Sequence, residues 1–394
     1  MLKGKTVVLG VTGSIAAYKI ANLARMLVKQ HCEVHVLMTQ NATNFINPIT
    51  FETLTKHKCL IDTFDRNFEF SVEHVALAKA ADVVMIAPAS ANVIGKIANG
   101  IADDMLTTTV MACPCKKIVS PAMNHNMFHN SIVQDNIEKL KHYGYEIVEP
   151  AHGMLANGDM GDGRMPDEEL LFEYIVKEIA FEKDMTGKKV LVTAGATVEA
   201  IDPVRFITNH SSGKMGFALA KNAMLRGADV TLVMGKCDSE PPVFVNTVKV
   251  QSAKDMYDAV IERADSMDII VKAAAVADYR PKNVSSEKVK KQDGNMSIEL
   301  ERTDDILKTL GERKNGQFIC GFSMETENML ENSRKKLEKK NCDMIVANNL
   351  KQDGAGFGGN TNIVTLITKD DEVQLEKMTK DEVAEKIFDF ILSR

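Results

Sequence analysis

Twice along this chain a short apolar run leads into a glycine-containing loop and then into a helical pattern. The first is GKTVVLGVTGSIAAYK, from Gly4 to Lys19; the second starts GKKVLVTAGATVEA at Gly187. A strand that opens through such a loop into a helix begins a nucleotide-type α/β unit, because loop amides and a helix N-terminus together attract phosphate. A second start in mid-chain restricts the fold to two domains. Each is expected to be a three-layer, Rossmann-like α/β domain with its site at the C-terminal ends of its strands. A length of 394 residues suits two or three domains of ordinary size.

Composition removes other classes. Hydrophobic residues make up 45% and charged residues 26%, enough for sizeable cores. Net charge is −6 with no long basic block, which argues against nucleic acid as a partner. No apolar run nears the ~18 residues of a membrane span, and the N-terminus lacks a signal-peptide layout. The seven cysteines are scattered, odd in number and without a CxxC pair, so neither a disulfide framework nor a zinc site is expected. Cys113-Pro-Cys115 is read as incidental. A reduced, cytoplasmic protein is the simplest reading.

Strands are expected at Thr6–Val11, Val34–Met38, Asp82–Ala87 (stopped by Pro88), Lys117–Ser120 and Tyr145–Val148, with helices between them. Ile20, Leu23, Ala24, Leu27 and Val28 share one helical face. This alternation predicts a parallel sheet covered on both faces. Its ligand loops are then Gly13-Ser14, Thr39, Pro88–Asn92 and Pro121–Asn124. Residues 150–167, PAHGMLANGDMGDGRMPD, hold four glycines and few apolar anchors, which describes a mobile flap. A helix from about Pro166 to Glu182 closes the half. The boundary is placed in Glu182–Gly187, giving domains 1–183 and 187–394.

The second half repeats the alternation, with strands at Lys189–Thr193, Asp229–Val233, Ile269–Ala274, Gln317–Gly321, Met344–Ala347 and Asn362–Thr368. One helix is expected from Gly216 to Arg226 with Gly227 past its end. The last begins with a capping box, Thr379 to Glu382, and turns Val383, Ile387 and Ile391 inward. Pro281–Gly294 and Gln352–Thr361 read as active-site loops or interface arms.

The loop GVTGS is no GxGxxG fingerprint, so a tandem NAD(P) oxidoreductase, the competing enzyme reading, lacks its motif. Gly13 allows close backbone approach and Ser14 offers a hydroxyl. Ser90 and Asn92 follow a strand end, and Thr107 and Thr108 follow a helical stretch. These small and hydroxyl side chains suit the ribityl and phosphate parts of flavin mononucleotide; the plain alternative is a polar turn. Asn124 could bind a substrate carboxylate or simply cap a helix. His74, alone in SVEHVALAKAAD, is on its spacing more often a packing or surface residue.

GSIAAYK, EHVALAKAAD, PASAN, PAMNxxM and the GxGRM flap resemble, in that order, the flavin-containing cysteine decarboxylases, over most of residues 1–175. The resemblance implies a flavodoxin-like fold with FMN, and a substrate thiol oxidised so that the carboxylate gains an electron acceptor. It makes His74 catalytic, as a base or electrostatic partner near the thiol, and Asn124 and Met127 the substrate-facing pair. Two positions depart from the pattern. Phe128 stands where tryptophan is common. Asn157 stands where the flap usually carries a cysteine that handles the last half-reaction. That second departure leaves two expectations: full turnover by another route, or an impaired or regulatory decarboxylase half beside an active ligase.

In the second half Ser211, Ser212, Gly213 and Lys214 precede a helix and form a phosphate loop in physical terms, though not a Walker A motif. Arg205 and Asn209 could reach a second anion; for Arg205 the alternative is a salt bridge with Asp202 or Glu199. KAAAVADYRP brings small residues and a carboxylate, Asp278, to a strand end. Lys288, in a lysine cluster, is either a solvated residue or a charge clamp on a triphosphate. TAGATxExIDPVRxIxNxSSGKMG, AAVADYRP, EKxKKQ, TDDIL and DMIVANN resemble the phosphopantothenate–cysteine ligase domain of the bifunctional coenzyme A enzymes, over about 187–394. That resemblance implies CTP as co-substrate. It makes Lys288 and Asn209 catalytic, and Ala277, Asp278, Tyr279 and Asp305 contacts to nucleotide or metal. Mg²⁺ would be held chiefly by phosphates with Asp278. Asp304 replaces a usual proline.

The two resemblances together imply ligation of cysteine to 4′-phosphopantothenate, then decarboxylation to 4′-phosphopantetheine. They also imply a homo-oligomer. Trimeric flavin contacts and dimeric ligase contacts in one chain could build a dodecamer.

Overall fold

A computed structural model describes residues 2–64, 73–155, 158–290, 296–325, 328–349 and 359–394. The chain divides into two compact units, Met1–Phe181 and Glu182–Arg394.

In the first unit, β1 (Thr6–Val11), β2 (Glu33–Met38), β3 (Val83–Ala89), β4 (Lys116–Pro121) and β5 (Glu146–Ile147) form one sheet in the order β2-β1-β3-β4-β5. Every pairing in it is parallel. Strands covered on both faces need continuous apolar runs, and β3 is buried at all seven positions. One face carries α1 (Ala17–Lys29), which buries Ile20, Leu23, Ala24 and Leu27, and its neighbour α8 (Glu168–Ile179). α2 (Pro48–Thr55) packs on α1. The other face carries α3 (Glu73–Ala80), α4 (Ala91–Ala98), α5 (Met105–Ala112) and α7 (Ser131–His142). There Leu77, Ile94, Leu106 and Ile137 meet Val8, Val84 and Val119.

Two sequence expectations change here. Pro88 does not end β3. The register slips between Ile86 and Ala89, so the residue without an N–H sits in an irregularity where the ladder needs none from it. The glycine-rich 150–167 stretch contains an antiparallel hairpin, β6 (Ala151–Met154) and β7 (Met160–Arg164). It lies against the short α6 (His125–Phe128) that follows β4. Gly163, at φ +116°, sits where a Cβ would strike the Met123 carbonyl, and Met123 N–H donates to Gly163 O at 3.0 Å. That glycine reflects close packing, which in sequence looks the same as looseness.

The second unit holds an eight-stranded sheet. Its strands are β8 (Lys189–Ala194), β11 (Asp229–Met234), β12 (Asn246–Lys249), β13 (Ile269–Lys272), β16 (Phe318–Glu325), β17 (Met344–Asn349), β19 (Val364–Ile367) and β20 (Glu372–Gln374). The order is β12-β11-β8-β13-β16-β17-β19-β20. The first six are parallel in the doubly wound 3-2-1-4-5-6 arrangement, and β19 and β20 extend the sheet antiparallel. Small antiparallel pairs stand off it: β9 (Val198–Ala200) with β10 (Phe206–Thr208), β14 (Tyr279–Pro281) with β15 (Leu300–Arg302), and β18 (Thr361–Asn362) with β21 (Met378–Thr379). The helices are α9 (Lys214–Leu225), α10 (Ala253–Ala264), α11 (Ile306–Arg313), α12 (Met329–Lys339) and α13 (Lys380–Leu392).

Helix α9 starts two residues before the expected Gly216. Gly213, at φ +81°, makes the turn into it, and Gly216 lets it lie on β8, where a Cβ would come within 2.5 Å of Ala194 Cβ. The capping box of α13 forms as expected, and Val383, Ile387 and Ile391 are buried. Strand β12, in a polar stretch, gave no sequence signal.

Candidate active sites

In both sheets the strand order reverses beside the first strand, and that crevice is where a doubly wound sheet receives ligands. In the first unit it lies between β1 and β3. Thr12, fully buried, ties the two strand ends together: its hydroxyl donates to Pro88 O at 2.7 Å and accepts from Ser90 N–H at 2.9 Å. Ser90 then caps α4, accepting from Val93 N–H. Thr39 caps the turn after β2, accepting from Ala42 N–H.

A cavity of about 390 Å³ opens here. Gly13, Thr39, Ser90, Asn92 and Met127 line it, with Lys96 and Asp104 at its wall. A Cβ on Gly13 would come within 2.8 Å of Asn41 Cβ, so only glycine leaves this cradle open. Ser14 faces a different cavity, of about 540 Å³, bounded by Asn124, Met123, Tyr18 and the hairpin residues Met154, Leu155 and Arg164. The Gly13-Ser14 loop thus divides two cavities that the sequence reading had merged.

Asn124 caps α6, its side-chain oxygen accepting from Asn126 N–H at 2.9 Å. Thr107 and Thr108 line neither cavity. Thr107 is buried in a capping box with Asp104, and Thr108 donates to Ala102 O. The residue this helix start presents to the cavity is Asp104, whose carboxyl lies below its usual range. Burial opposes its charge, and the N–H and hydroxyl of Thr107 with Lys96 outweigh it. His74 is half-buried in the first turn of α3, which packs on α5, and lines neither cavity of its own chain. Asn157 lies outside the described residues.

In the second unit the crevice lies between β8 and β13. Thr193 and Thr197, both fully buried, accept from Ala274 N–H and Ala277 N–H, each at 3.0 Å. Gly195, at φ +80°, and Gly213 both sit where a Cβ would meet the Lys236–Cys237 backbone or thiol. The start of α9 is thereby pressed onto the strand ends. Ser211 Oγ accepts from Gly213 N–H at 3.4 Å, Ser212 is buried, and Lys214 reaches Asn360 at 2.9 Å. Asn209 Nδ2 donates to Ala275 O at 3.1 Å, which brings the phosphate loop to the β13 loop.

Next to this lies a cavity of about 360 Å³. Ala277, Asp278, Tyr279 and Asp305 line it together, with Lys272, Arg302 and Asp304. Asp305 caps α11, accepting from Lys308 N–H at 2.9 Å, and pairs with Lys340. Burial works against its charge, but Lys340 and the Lys308 amide hold the carboxyl below its usual range. Lys272 went unnoticed in the sequence, where it reads as the end of a strand. Burial, with Lys336 nearby, pulls its pKa down to about 8.

Arg205 forms the salt bridge that was the alternative to an anion contact. Its guanidinium holds Asp202 at 3.0 and 2.5 Å and donates to Val289 O at 3.1 Å. Asp202, whose side chain is out of contact with solvent, also accepts from Val289 N–H at 3.2 Å. Arg205 is the first cause that keeps the Asp202 carboxyl far below the usual range. This clasp anchors the exposed stretch that carries Lys288.

Among the described residues no helix is long and apolar enough to cross a membrane, and all seven cysteines are free.

A family model described as flavoprotein matches residues 1–180, and one described as DNA/pantothenate metabolism flavoprotein C-terminal domain matches residues 185–394. The coenzyme A biosynthesis bifunctional protein CoaBC of Bacillus subtilis (strain 168) is 48% identical over 373 residues, 94% of this chain and 92% of its own length. That of Vibrio cholerae serotype O1 is 43% identical over 99% of this chain and 98% of its own length. A crystal structure of the C-terminal domain of CoaBC is 48% identical, covers 54% of this chain and 97% of its own, and has a TM-score of 0.47. With two strand-end sites, and relatives matched along nearly the whole length, this chain belongs to the family of bifunctional coenzyme A biosynthesis enzymes, one half a decarboxylase flavoprotein and the other a ligase.

Proposed function

We propose that the C-terminal half joins cysteine to 4′-phosphopantothenate at the expense of CTP, and that the N-terminal half decarboxylates the product to 4′-phosphopantetheine with FMN. The observation that carries this reading is the pair of switch-point sites of opposite character: a charged cavity beside a phosphate loop in one half, and a glycine cradle with hydroxyl caps in the other.

In the ligase half, the loop 211–214 and the start of α9 offer N–H groups to the triphosphate. Lys288, on its clasped stretch, and Lys272, at the cavity wall, offset its charge. The substrate carboxylate attacks the α-phosphorus, pyrophosphate leaves, and the cysteine amine then displaces CMP from the acyl-cytidylate. Asn209 stands beside the Ala275 carbonyl to hold that intermediate. Asp278 would be the carboxylate that holds Mg²⁺, since a hard cation prefers oxygen donors.

The N-terminal residues fit FMN. Gly13 is a cradle that a Cβ would close, and Thr39 and Ser90 bring hydroxyls and a helix start to the same cavity. When bound, FMN supplies the two-electron oxidation of the substrate thiol and the return of those electrons. Asn124 spends its side-chain oxygen on Asn126, which leaves its NH₂ group to hold the substrate carboxylate in the adjacent cavity. Met127, 49% exposed, packs at the wall between loop and ligand. His74 takes the thiol proton. His74 lines neither cavity of its own chain, so this role requires a homo-oligomer in which it reaches a neighbouring subunit's cavity. Ile15, Tyr18 and Met127, apolar and exposed near the cavities, suit such a contact. Phosphorylated substrates and CTP support a cytoplasmic enzyme. Nothing among the described residues or in these relatives favours a merely regulatory decarboxylase half.

One assay tests the whole reading: purified protein, FMN, CTP, Mg²⁺, 4′-phosphopantothenate and cysteine, with products read by mass. CMP and 4′-phosphopantetheine are expected. Absence of CMP overturns the ligase reading. Phosphopantothenoylcysteine that accumulates without losing carbon dioxide overturns the decarboxylase reading.

A further inference from the structure

Three histidines gather around one carboxylate where the β6–β7 hairpin meets α6. His125 and His129 stand one helical turn apart, ring centroids 4.4 Å from each other. Asp162 comes from β7, and its two oxygens contact His129 Nε2 and His152 Nδ1, each at 2.9 Å. Its backbone N–H donates to His125 Nδ1 at 3.1 Å. One ligating atom each from His125, His129 and Asp162 all fall within 4.8 Å of one another.

The fold builds this convergence. A Cβ on Gly161 would come within 2.7 Å of His125 Nδ1, so the missing side chain makes room for the imidazole. Gly163 lies flush on the Met123 carbonyl. Asp162, between these two glycines, is the side chain the strand sends toward the histidines. The hairpin partner brings His152 to the same carboxylate from β6.

The plain reading is a pair of half-exposed histidine–carboxylate hydrogen bonds, which contribute little to stability. Two features go beyond it. The His125 Nδ1 contact is an acceptor contact, so a lone pair, the form of imidazole that binds metal, faces the cluster. The donor set is two imidazoles and one carboxylate, and a second-sphere imidazole orients that carboxylate, as outer partners do at metal centres. Nitrogen-rich donors favour late first-row cations over Mg²⁺ or Ca²⁺, which prefer all-oxygen sites.

We infer that His125, His129 and Asp162 form a binding site for a late first-row divalent cation of the zinc class, with His152 orienting Asp162. The cation replaces the hydrogen bonds that now join the group and fastens the hairpin to α6. Met154, Leu155 and Arg164 of the hairpin segment wall the cavity that also holds Asn124, so the site fixes one wall of that cavity. Three protein ligands leave a fourth position for water. None of these four residues has a part in the proposed ligation or decarboxylation, so the site stands or falls apart from that reading.

The test uses the full-length protein, stripped with EDTA and titrated with Co²⁺ by visible absorption and with Zn²⁺ by calorimetry. One equivalent per chain is expected, unaffected by excess Mg²⁺. His129→Ala and the isosteric Asp162→Asn should each weaken binding by about 100-fold, and His152→Ala by about tenfold. Zn²⁺ should also slow tryptic cleavage after Arg164 in the parent and not in His129→Ala. His142→Ala, at an exposed histidine away from the cluster, should bind as the parent does. No saturable binding, or binding that Asp162→Asn leaves unchanged, overturns the site.

Discussion

At the end of β1 a buried threonine hydroxyl, that of Thr12, bridges Pro88 and Ser90; at the end of β8, Thr193 and Thr197 bridge to Ala274 and Ala277. In each half a buried hydroxyl ties the first strand to the one across the switch point, and in each a glycine lets the loop pack where a Cβ would clash, Gly13 against Asn41 and Gly213 against Cys237. The walls then part company. The larger N-terminal cavity is lined mainly by Ile15, Tyr18, Met123, Met154 and Leu155, with Asn124 among them. The C-terminal cavity is lined by Lys272, Arg302, Asp278, Asp304 and Asp305. The frame does not choose the chemistry; the loops beyond the strand ends do. Apolar walls suit a flavin and a long thin substrate, and fixed charges suit a triphosphate and its cation.

The strongest break of the comparison is Lys288→Ala. CTP-dependent ligation should fall about 10²–10³-fold in kcat, the scale on which a preorganised charge acts. Carbon dioxide release from added phosphopantothenoylcysteine should not change. Equal loss of both activities would mean that the halves are not independent sites.

Gly13→Val is the reciprocal change. Its Cβ would press on Asn41 Cβ at 2.8 Å. Bound flavin absorbance should drop about tenfold or more, the effect of 1–3 kcal/mol of overpacking, while CMP formation persists. Retained flavin at parental affinity would move the cofactor away from this cradle.

Thr12→Val and Thr193→Val test the shared frame. Each strips a buried hydroxyl and strands its partners, at a cost of about 1–3 kcal/mol. Thr12→Val should cost more, because it leaves both Pro88 O and Ser90 N unpaired. Urea unfolding should shift only the transition of the half that carries the change.

The smallest effect is on pH. Lys272, with its pKa lowered to about 8, is charged below that pH and neutral above it. Raising pH from 7 to 9 removes a positive charge from the cavity wall, so KM for CTP should rise a few-fold. In Lys272→Arg, whose guanidinium keeps its proton, that rise should vanish. The decarboxylation step should show no such dependence on residue 272.

Much of this was legible in the residues. Apolar runs and 3.6-residue periodicity located the sheets' main strands and α1, and the capping box at Thr379 located α13. These signals are local, so a single sequence carries them. The sites were legible only where a backbone requirement left a mark, as at Gly13 and Gly213. Thr107 and Thr108 were ambiguous in sequence because a hydroxyl reads the same whether it faces a ligand or, as Thr107 does here, closes a capping box with Asp104 three residues earlier. For Arg205 the structure shows the salt bridge that sequence offered as its alternative, with Asp202 equally close in the chain.

Sequence alone determined that the chain is two α/β units and which loops end up at the strand ends. Period and glycine placement fix these matters, and both are properties of neighbouring residues. Only the tertiary structure decided that Gly13 and Ser14 face different cavities and that Lys272 shares a wall with Asp278 and Asp305. It alone turned a glycine-rich flap into a hairpin whose Asp162 meets the histidines of α6. Each of those outcomes depends on residues tens of positions apart being packed together, and burial, which sets both charge and hydrogen-bond demand, exists only once they are.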